Sequence, residues 1–256
     1  PTLFYTMILS MGGFIFGFDA SVISGAIGFV TTEFNLSAWQ QGFVVSSPTL
    51  GGILATITAG AICDAIGRKR TLIVIAFLYL LSAIASAFAT SVEMLIVARL
   101  IGGMAFCSLM IAPIYIAEIS EAATRGRMVS INQLNIVIGF SVSYFTNYYL
   151  LQLSQSNMDW VLHSGIQENT WRWMLGLEII PALAWLLLLF LVPKSPRWLL
   201  LNNRTEEAKK VIAILFSKDK AAYQFAEIEK SLSEAKYSLK ERIKFLFSKK
   251  MHFAIG

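Results

Sequence analysis

The amino-acid sequence predicts an all-α membrane protein with six transmembrane helices, and three observations predict it. Of the 256 residues, 56% are hydrophobic and only 14% are charged, a balance too apolar for an ordinary soluble domain. The apolar residues gather into six tracts, each reaching the ~20 residues that a helix needs to cross roughly 30 Å of hydrocarbon. Lys and Arg avoid every second connection between the tracts, which is the asymmetry that orients membrane helices. Buried helices of a large soluble protein can be apolar all round, but six such tracts in succession leave too little chain to cover them.

In order, the tracts are Leu3 to Val30, Gly42 to Cys63, Thr71 to Val92, Met94 to Ala117, Met128 to Leu153 and Trp173 to Val192. With the N-terminus inside, the cytoplasmic connections carry Arg68, Lys69 and Arg70, then Arg125 and Arg127, then fourteen Lys and Arg between Lys194 and Lys250, which accounts for 19 of the 21 bases. The other two are Arg99, inside the fourth tract, and Arg172, at the outer rim of the sixth. The outer connections hold Glu33, Glu93, Asp159 and Glu168 and no base. The net charge of +5 therefore reflects topology, and it points to a lipid bilayer as partner and not to nucleic acid. A multi-pass location in a plasma or cell inner membrane follows as an expectation. The first tract is too long, and lacks the basic leader, for a cleavable signal peptide. A start at Pro1, without Met, leads us to expect that a short N-terminal piece has been trimmed. Cys63 and Cys107 read as small packing residues, with no disulfide framework or metal site. Asn35-Leu36-Ser37 is a glycosylation sequon too short and too close to the membrane to be informative.

The expected organisation is a six-helix membrane domain over residues 1–193, a cytoplasmic helical linker over 194–250, and the start of a truncated seventh span over 251–256. The linker carries fourteen basic and seven acidic residues. Ala208, Val211, Ile212 and Leu215 repeat at helical spacing, Phe225, Ile228, Leu232 and Ala235 keep a similar stripe, and Leu239, Ile243 and Leu246 make a third. Three short amphipathic helices at the membrane face are expected, against the alternative of a solvated linker. Asn203 followed by Glu206 suggests a capping box at the start of the first.

A charge at the bilayer centre costs roughly 2.5 to 3.5 kcal/mol on insertion scales, so each intramembrane charge needs an explanation. There are three: Asp19, Arg99 and Glu178. Asp19 lies about 16 Å and Arg99 roughly 8 Å below the outer ends of their tracts at 1.5 Å per residue, so a long Arg side chain can close the gap if the helices are neighbours. Asp19 is either a structural carboxylate held by backbone or hydroxyls, or a protonatable coupling group; burial and a nearby Arg pull its ionisation in opposite senses. Arg99 alternatively snorkels to the interface, and Glu178 is either a further proton-coupling group or a side chain that reaches Arg172 or the headgroups. No nucleophile and base pair, metal-ligand cluster or phosphate loop is evident, so no enzyme activity and no cofactor are expected.

Local motifs then carry a resemblance. Gly60-Ala61-Ile62-Cys63-Asp64-Ala65-Ile66-Gly67-Arg68-Lys69-Arg70 matches in full the Gly-x-x-x-Asp-x-x-Gly-Arg-Lys/Arg-Lys/Arg signature of the major facilitator superfamily. Asp64 can hold the base cluster that opens the next helix, and Gly67 permits the tight turn. Gly13 to Asp19 with Val22-Ile23-Ser24-Gly25, Ala98 to Gly103, Pro113 to Glu118, Arg125-Gly126-Arg127 with Asn132-Gln133, Trp171 to Met174, and Pro193 to Trp198 narrow it to the sugar porters. The chain resembles the N-terminal half of a twelve-helix protein of this family, with two inverted three-helix repeats.

The resemblance implies transport of a sugar by alternating access, with the proton as coupling ion and a missing C-terminal six-helix half as partner. Asp19 and Arg99 match the acid and base that proton-coupled members carry on their first and fourth helices. Gln133 matches a sugar-binding amide, whose donors and acceptors suit a polyol, and Phe16 an aromatic near the sugar; an interhelical hydrogen bond and simple packing are their bland alternatives. Asp64, Gly67, Arg68, Glu118, Arg125 and Arg197 match a cytoplasmic gate. Two positions depart from the pattern: Lys194 stands where the family usually has Glu, and Phe140 where some members have a second Gln. A facilitative uniporter, a sugar sensor that does not transport, and an inactive half-transporter fragment are the competing readings.

Overall fold

A computed structural model of the protein describes residues 2–156 and 158–234. Among the described residues the structure is helical, without strands, and runs α1 (Thr2–Phe34), α2 (Ala38–Ile66), α3 (Arg68–Ala87), α4 (Val92–Met104), a 3₁₀ turn (Ala105–Cys107), α5 (Ser108–Ile119), α6 (Arg125–Ser154), α7 (Asp159–Ser164), α8 (Thr170–Gly176), α9 (Ile179–Leu189), α10 (Pro196–Leu201), α11 (Thr205–Leu215) and α12 (Lys218–Glu234). Six stretches are long and apolar enough to cross a membrane: α1, α2, α3, α4 with α5, α6, and α8 with α9.

Turn chemistry separates these spans. Asn35 adopts a positive φ of 51° that ends α1, and Ser37 opens α2 with a capping box, its Oγ accepting from the Gln40 N–H while the Gln40 side chain accepts from the Ser37 N–H. The sequon is thus the turn itself. Gly67, at φ 89°, joins α2 to α3 with its backbone against the Trp198 ring, where a Cβ would lie 2.9 Å from an indole carbon. Ser91 caps α4 by accepting from the Met94 N–H.

Two helix crossings are close because glycines on each side meet the opposing backbone. Where α1 crosses α6, Gly17 faces the Ile136 carbonyl and Gly139 faces the Phe14 carbonyl; where α2 crosses α4, Gly51 faces the Leu100 carbonyl and Gly103 faces the Pro48 carbonyl. Small residues at such positions let helices approach in lipid, where no hydrophobic force drives them together. The first span thus meets the fifth as the fourth meets the second. That exchange is what two three-helix repeats related by a two-fold axis require.

Prolines interrupt three spans. Pro48 denies the Val44 carbonyl its helical partner, and the Ser47 hydroxyl donates to it at 3.0 Å instead. Pro181 likewise strips the Leu177 carbonyl, and the last span breaks into α8 and α9 around Leu177 and Glu178. The uninterrupted tract read from sequence is thus two helices with an acid at their joint.

The linker folds as helices over its described part. Ala208, Ile212 and Leu215 are buried on α11, and Phe225 and Ile228 of α12 pack against the main core. Lys220 pairs with Glu121 at 2.8 Å. The capping expectation at Asn203 is corrected: Asn203 takes φ 58° and terminates the chain turn after α10, which Asn tolerates better than most residues, while α11 begins at Thr205. The third stripe (Leu239, Ile243, Leu246), Ala235 and the expected seventh span at 251–256 lie outside the described residues.

Candidate functional site

The first span runs through the bundle and meets α2, α5, α6 and the sixth span, so a polar side chain on it is shielded from lipid. Asp19 is 2% exposed and Arg99 is 2% exposed. The Arg99 guanidinium donates to Asp19 Oδ1 at 2.7 Å and to the Asp19 backbone carbonyl at 3.3 Å. Arg99 therefore does not snorkel. Gly102, one turn along α4, leaves room beside Ser82 and Asp19 Oδ2, and Ser82 donates to the Ala98 carbonyl at 2.8 Å.

Glu178, 3% exposed, is carried to the same place by the α8–α9 joint and interacts with both Asp19 and Arg99. Its alternative partner is engaged elsewhere: Arg172 pairs with Glu33 at 2.8 Å, stacks 4.1 Å above the Trp171 ring and donates to the Ala89 carbonyl. Trp171 donates to the same Glu33 carboxylate at 2.6 Å. This clasp joins the first and last spans at the end of the bundle where α1 turns into α2. With both acids of the inner trio ionised, Asp19 Oδ2, Arg99 Nε and Glu178 Oε1 have no hydrogen-bond partner, while the Glu178 and Asp19 carboxyls stand close enough to share a proton. Two acids and one base leave one negative charge when all are ionised, and one proton removes it.

A cleft of about 520 Å³ opens beside the first span, lined among others by Phe16, Leu109, Pro113, Asn132, Gln133 and Phe140. Gln133 is exposed, with no hydrogen bond among the described residues. Phe16 packs edge-on to Phe106 at 4.7 Å and to Phe140 at 6.4 Å, so Phe140 extends an aromatic wall where a second amide was absent from the sequence. Asn132 is buried with its Oδ1 unpartnered. Pro113 frees the Leu109 carbonyl from its helical bond, giving the cleft another acceptor. Amide, carbonyls and ring faces together suit a ligand with hydroxyls on an apolar frame.

At the other end of the bundle, Arg68 donates to Asp64 at 2.8 Å and to the Cys63 carbonyl at 3.3 Å, and pairs with Glu118 at 3.0 Å. Ser195 donates to Glu118 at 2.6 Å, and the Trp198 indole donates to the Asp64 carbonyl at 2.9 Å. Tyr115 donates to the Pro193 carbonyl. Arg125 donates to the Ala117 carbonyl at 3.1 Å. Arg125 and Arg197 face a cleft shared with Arg68, Glu118 and Glu227. Lys194 pairs with Glu207 at 3.2 Å, which Arg204 also holds; the Arg204 hydrogen bond, and then Lys194, keep the Glu207 carboxyl below the ordinary carboxylate range. Sequence reasoning missed Ser195, Trp198, Glu207 and the Glu33 clasp. Only the Ser-Pro-x-Trp spacing of a short capped helix hinted at the first two.

The family model described as "Sugar (and other) transporter" matches residues 5–256. The chain is 37% identical over 223 residues to the arabinose-proton symporter of Bacillus subtilis, covering 87% of this chain and 47% of that one. It is 36% identical over 214 residues to a D-xylose transporter of Levilactobacillus brevis, covering 83% and 44%. Among solved structures, a partially occluded inward-open form of the xylose transporter XylE from E. coli superposes with a TM-score of 0.82 at 31% identity, covering 92% of this chain and 60% of that one. The proton:xylose symporter XylE bound to 6-bromo-6-deoxy-D-glucose gives 0.81 at 32%, covering 91% and 53%. The chain spans about half the length of the curated relatives it matches. Six apolar spans, the two glycine crossings and these matches give it the fold of the N-terminal half of such proteins, and the chain belongs to the sugar porter family of the major facilitator superfamily.

Proposed function

We propose that the protein containing this chain carries a sugar and a proton together across a membrane by alternating access. The observation that carries this reading is the buried trio of Asp19, Arg99 and Glu178, which holds one charge more than it can neutralise and three polar atoms without partners. Protonation of Asp19 removes the carboxylate that grips Arg99, and Glu178 offers the guanidinium a second acceptor. The proton thereby lowers the penalty for separating the first and fourth spans. Symport printed in the names of relatives supports the same reading.

The sugar occupies the cleft with Gln133 and Phe16, and a C-terminal six-helix half closes it. Asp64, Gly67, Arg68, Glu118, Arg125 and Arg197 form the cytoplasmic gate, with Ser195 as a further member. Residues 1–193 are the membrane domain and 194–250 the cytoplasmic linker. The N-terminus and the basic connections face the cytoplasm, in a plasma or inner membrane, because 19 of 21 bases then lie inside.

The test is Asp19→Asn in the full-length protein reconstituted in vesicles. Accumulation of labelled xylose, arabinose or glucose against a gradient is expected to vanish while sugar exchange at equal concentrations persists. Undiminished concentrative uptake by this variant would refute the coupling role.

A further inference from the structure

Lys194, singled out above as a departure, belongs to a second basic site. A groove of about 330 Å³ between the start of α3 and the end of α9 is lined by Lys69, Arg70, Lys194 and Arg204 over the Trp198 and Phe190 rings. Lys69 donates to the Phe190 carbonyl at 2.8 Å and lies close enough to Lys194 for the two ammonium groups to repel. Arg68 also lines the groove but is held by Asp64 and Glu118; Glu207 touches Lys194 and Arg204 and offsets one of the other four charges. Arg70 is exposed and has no hydrogen bond or ion pair among the described residues. Gly67, at this end of the groove, gives α3 no side-chain cap, so the first-turn N–H groups have no side-chain acceptor from it. Phe190, 59% exposed, forms a wall that continues into the lipid-facing surface of the last span.

We propose that this groove binds the phosphate of an anionic phospholipid headgroup, with the acyl chains descending along Phe190 and Ile73. The chemistry is that of any phosphate: an excess of about three positive charges, rigid Arg donors and an uncapped helix start. The apolar wall on one side selects a lipid over a soluble ion, since a free phosphate gains nothing from Phe190. Lys194 is decisive because it places a second ammonium opposite Lys69; an acid there would pair with Lys69 and cancel the attraction. The inference is independent of what the protein transports.

Native mass spectrometry of the detergent-solubilised protein, titrated with phosphatidylglycerol or phosphatidylcholine, tests it. Phosphatidylglycerol is expected to bind more tightly, and Arg70→Gln to weaken it about fivefold, the effect of one base near the surface. Lys194→Glu, a reversal of charge, should weaken it roughly 25-fold on the same scale, with phosphatidylcholine unchanged. Melting temperatures report whether each variant folds, and Arg70→Gln, which loses no internal bond, keeps the test open if Lys194→Glu unfolds. Equal affinity for the two lipids, or variants that bind phosphatidylglycerol as the parent does, would overturn the proposal. Displacement of the lipid by millimolar inorganic phosphate would overturn the headgroup assignment in favour of a soluble anion.

Discussion

Two clusters in this molecule have the same formula, one arginine between two acids, and opposite circumstances. Arg99 sits with Asp19 and Glu178 inside the bundle, where none is more than 3% exposed and three polar atoms lack partners. Arg68 sits with Asp64 and Glu118 at the end of the bundle. There Arg68 satisfies both acids, Glu118 takes the Ser195 hydroxyl, and the Asp64 side chain is 73% exposed. The odd negative charge of the end cluster rests on a carboxylate that water already solvates. The inner cluster has no such outlet, and in the proposed function a proton relieves its odd charge. The same three groups are cheap to keep ionised where water reaches them and costly where it does not, which is the contrast the proposed proton coupling rests on.

The comparison is broken most easily at its arginines. Arg99→Leu leaves two buried acids with no base beside them, and stability measured by thermal unfolding should fall by about 3–5 kcal/mol. Asp19→Leu combined with Arg99→Leu should recover part of that loss, because one of the two unpaired acids is removed and only Glu178 remains. A single variant as stable as its parent would mean that Glu178 and Asp19 are not both charged in the resting protein, and the two clusters would not be counterparts.

Arg68→Leu should do less, about 1.5–3 kcal/mol, since hydrogen bonds to charged groups are lost but Asp64 remains hydrated and Glu118 keeps Ser195. Its loss should appear in unfolding and, if the proposed function holds, as faster sugar exchange by the full-length protein. The Glu33 clasp is smaller again. Glu33→Gln removes a partly exposed ion pair with Arg172, and the expected loss is about 1 kcal/mol or less, because the amide oxygen can still accept from the Trp171 indole. A fall as large as that of Arg68→Leu would show that the clasp, and not the end cluster, is the stronger tie between spans.

Much of this was legible in residue order. Length and apolarity alone mark six spans because a helix in lipid must satisfy its own backbone, and Asp19 and Arg99 stand out because each is a charge in an apolar run. Glu178 was ambiguous for a physical reason: its depth along the tract is clear, but the break that turns it inward depends on Pro181 and on packing against α1 and α3. The clasp joins Glu33 to residues 138 and 139 positions away, a separation at which no local pattern survives. Asn203 was misread because Asn serves both as a helix opener and as a left-handed terminator, and only the backbone of the preceding turn decides between them.

The smallest expected effect separates the surface from both clusters. Glu207 joins Lys194 to Arg204, and thus the start of α10 to the start of α11. Its carboxyl is held below the ordinary value of 4.5, first by the Arg204 hydrogen bond and, against an opposing effect of desolvation, also by Lys194. A depressed carboxyl contributes stability that is present above its unfolded value and is lost as pH falls through the folded one. The tie should therefore hold at neutral pH and weaken only below about 4.5. Hydrogen exchange at the Arg204 to Ala208 amides should accelerate in that window beyond its intrinsic pH trend, and Glu207→Gln should abolish the added acceleration. The groups are exposed to water and salt, so high ionic strength should flatten the same dependence. A pH response that survives both the substitution and the salt would have to come from a buried carboxyl, which would make the inner trio, and not the linker, the first part of the protein to feel acid.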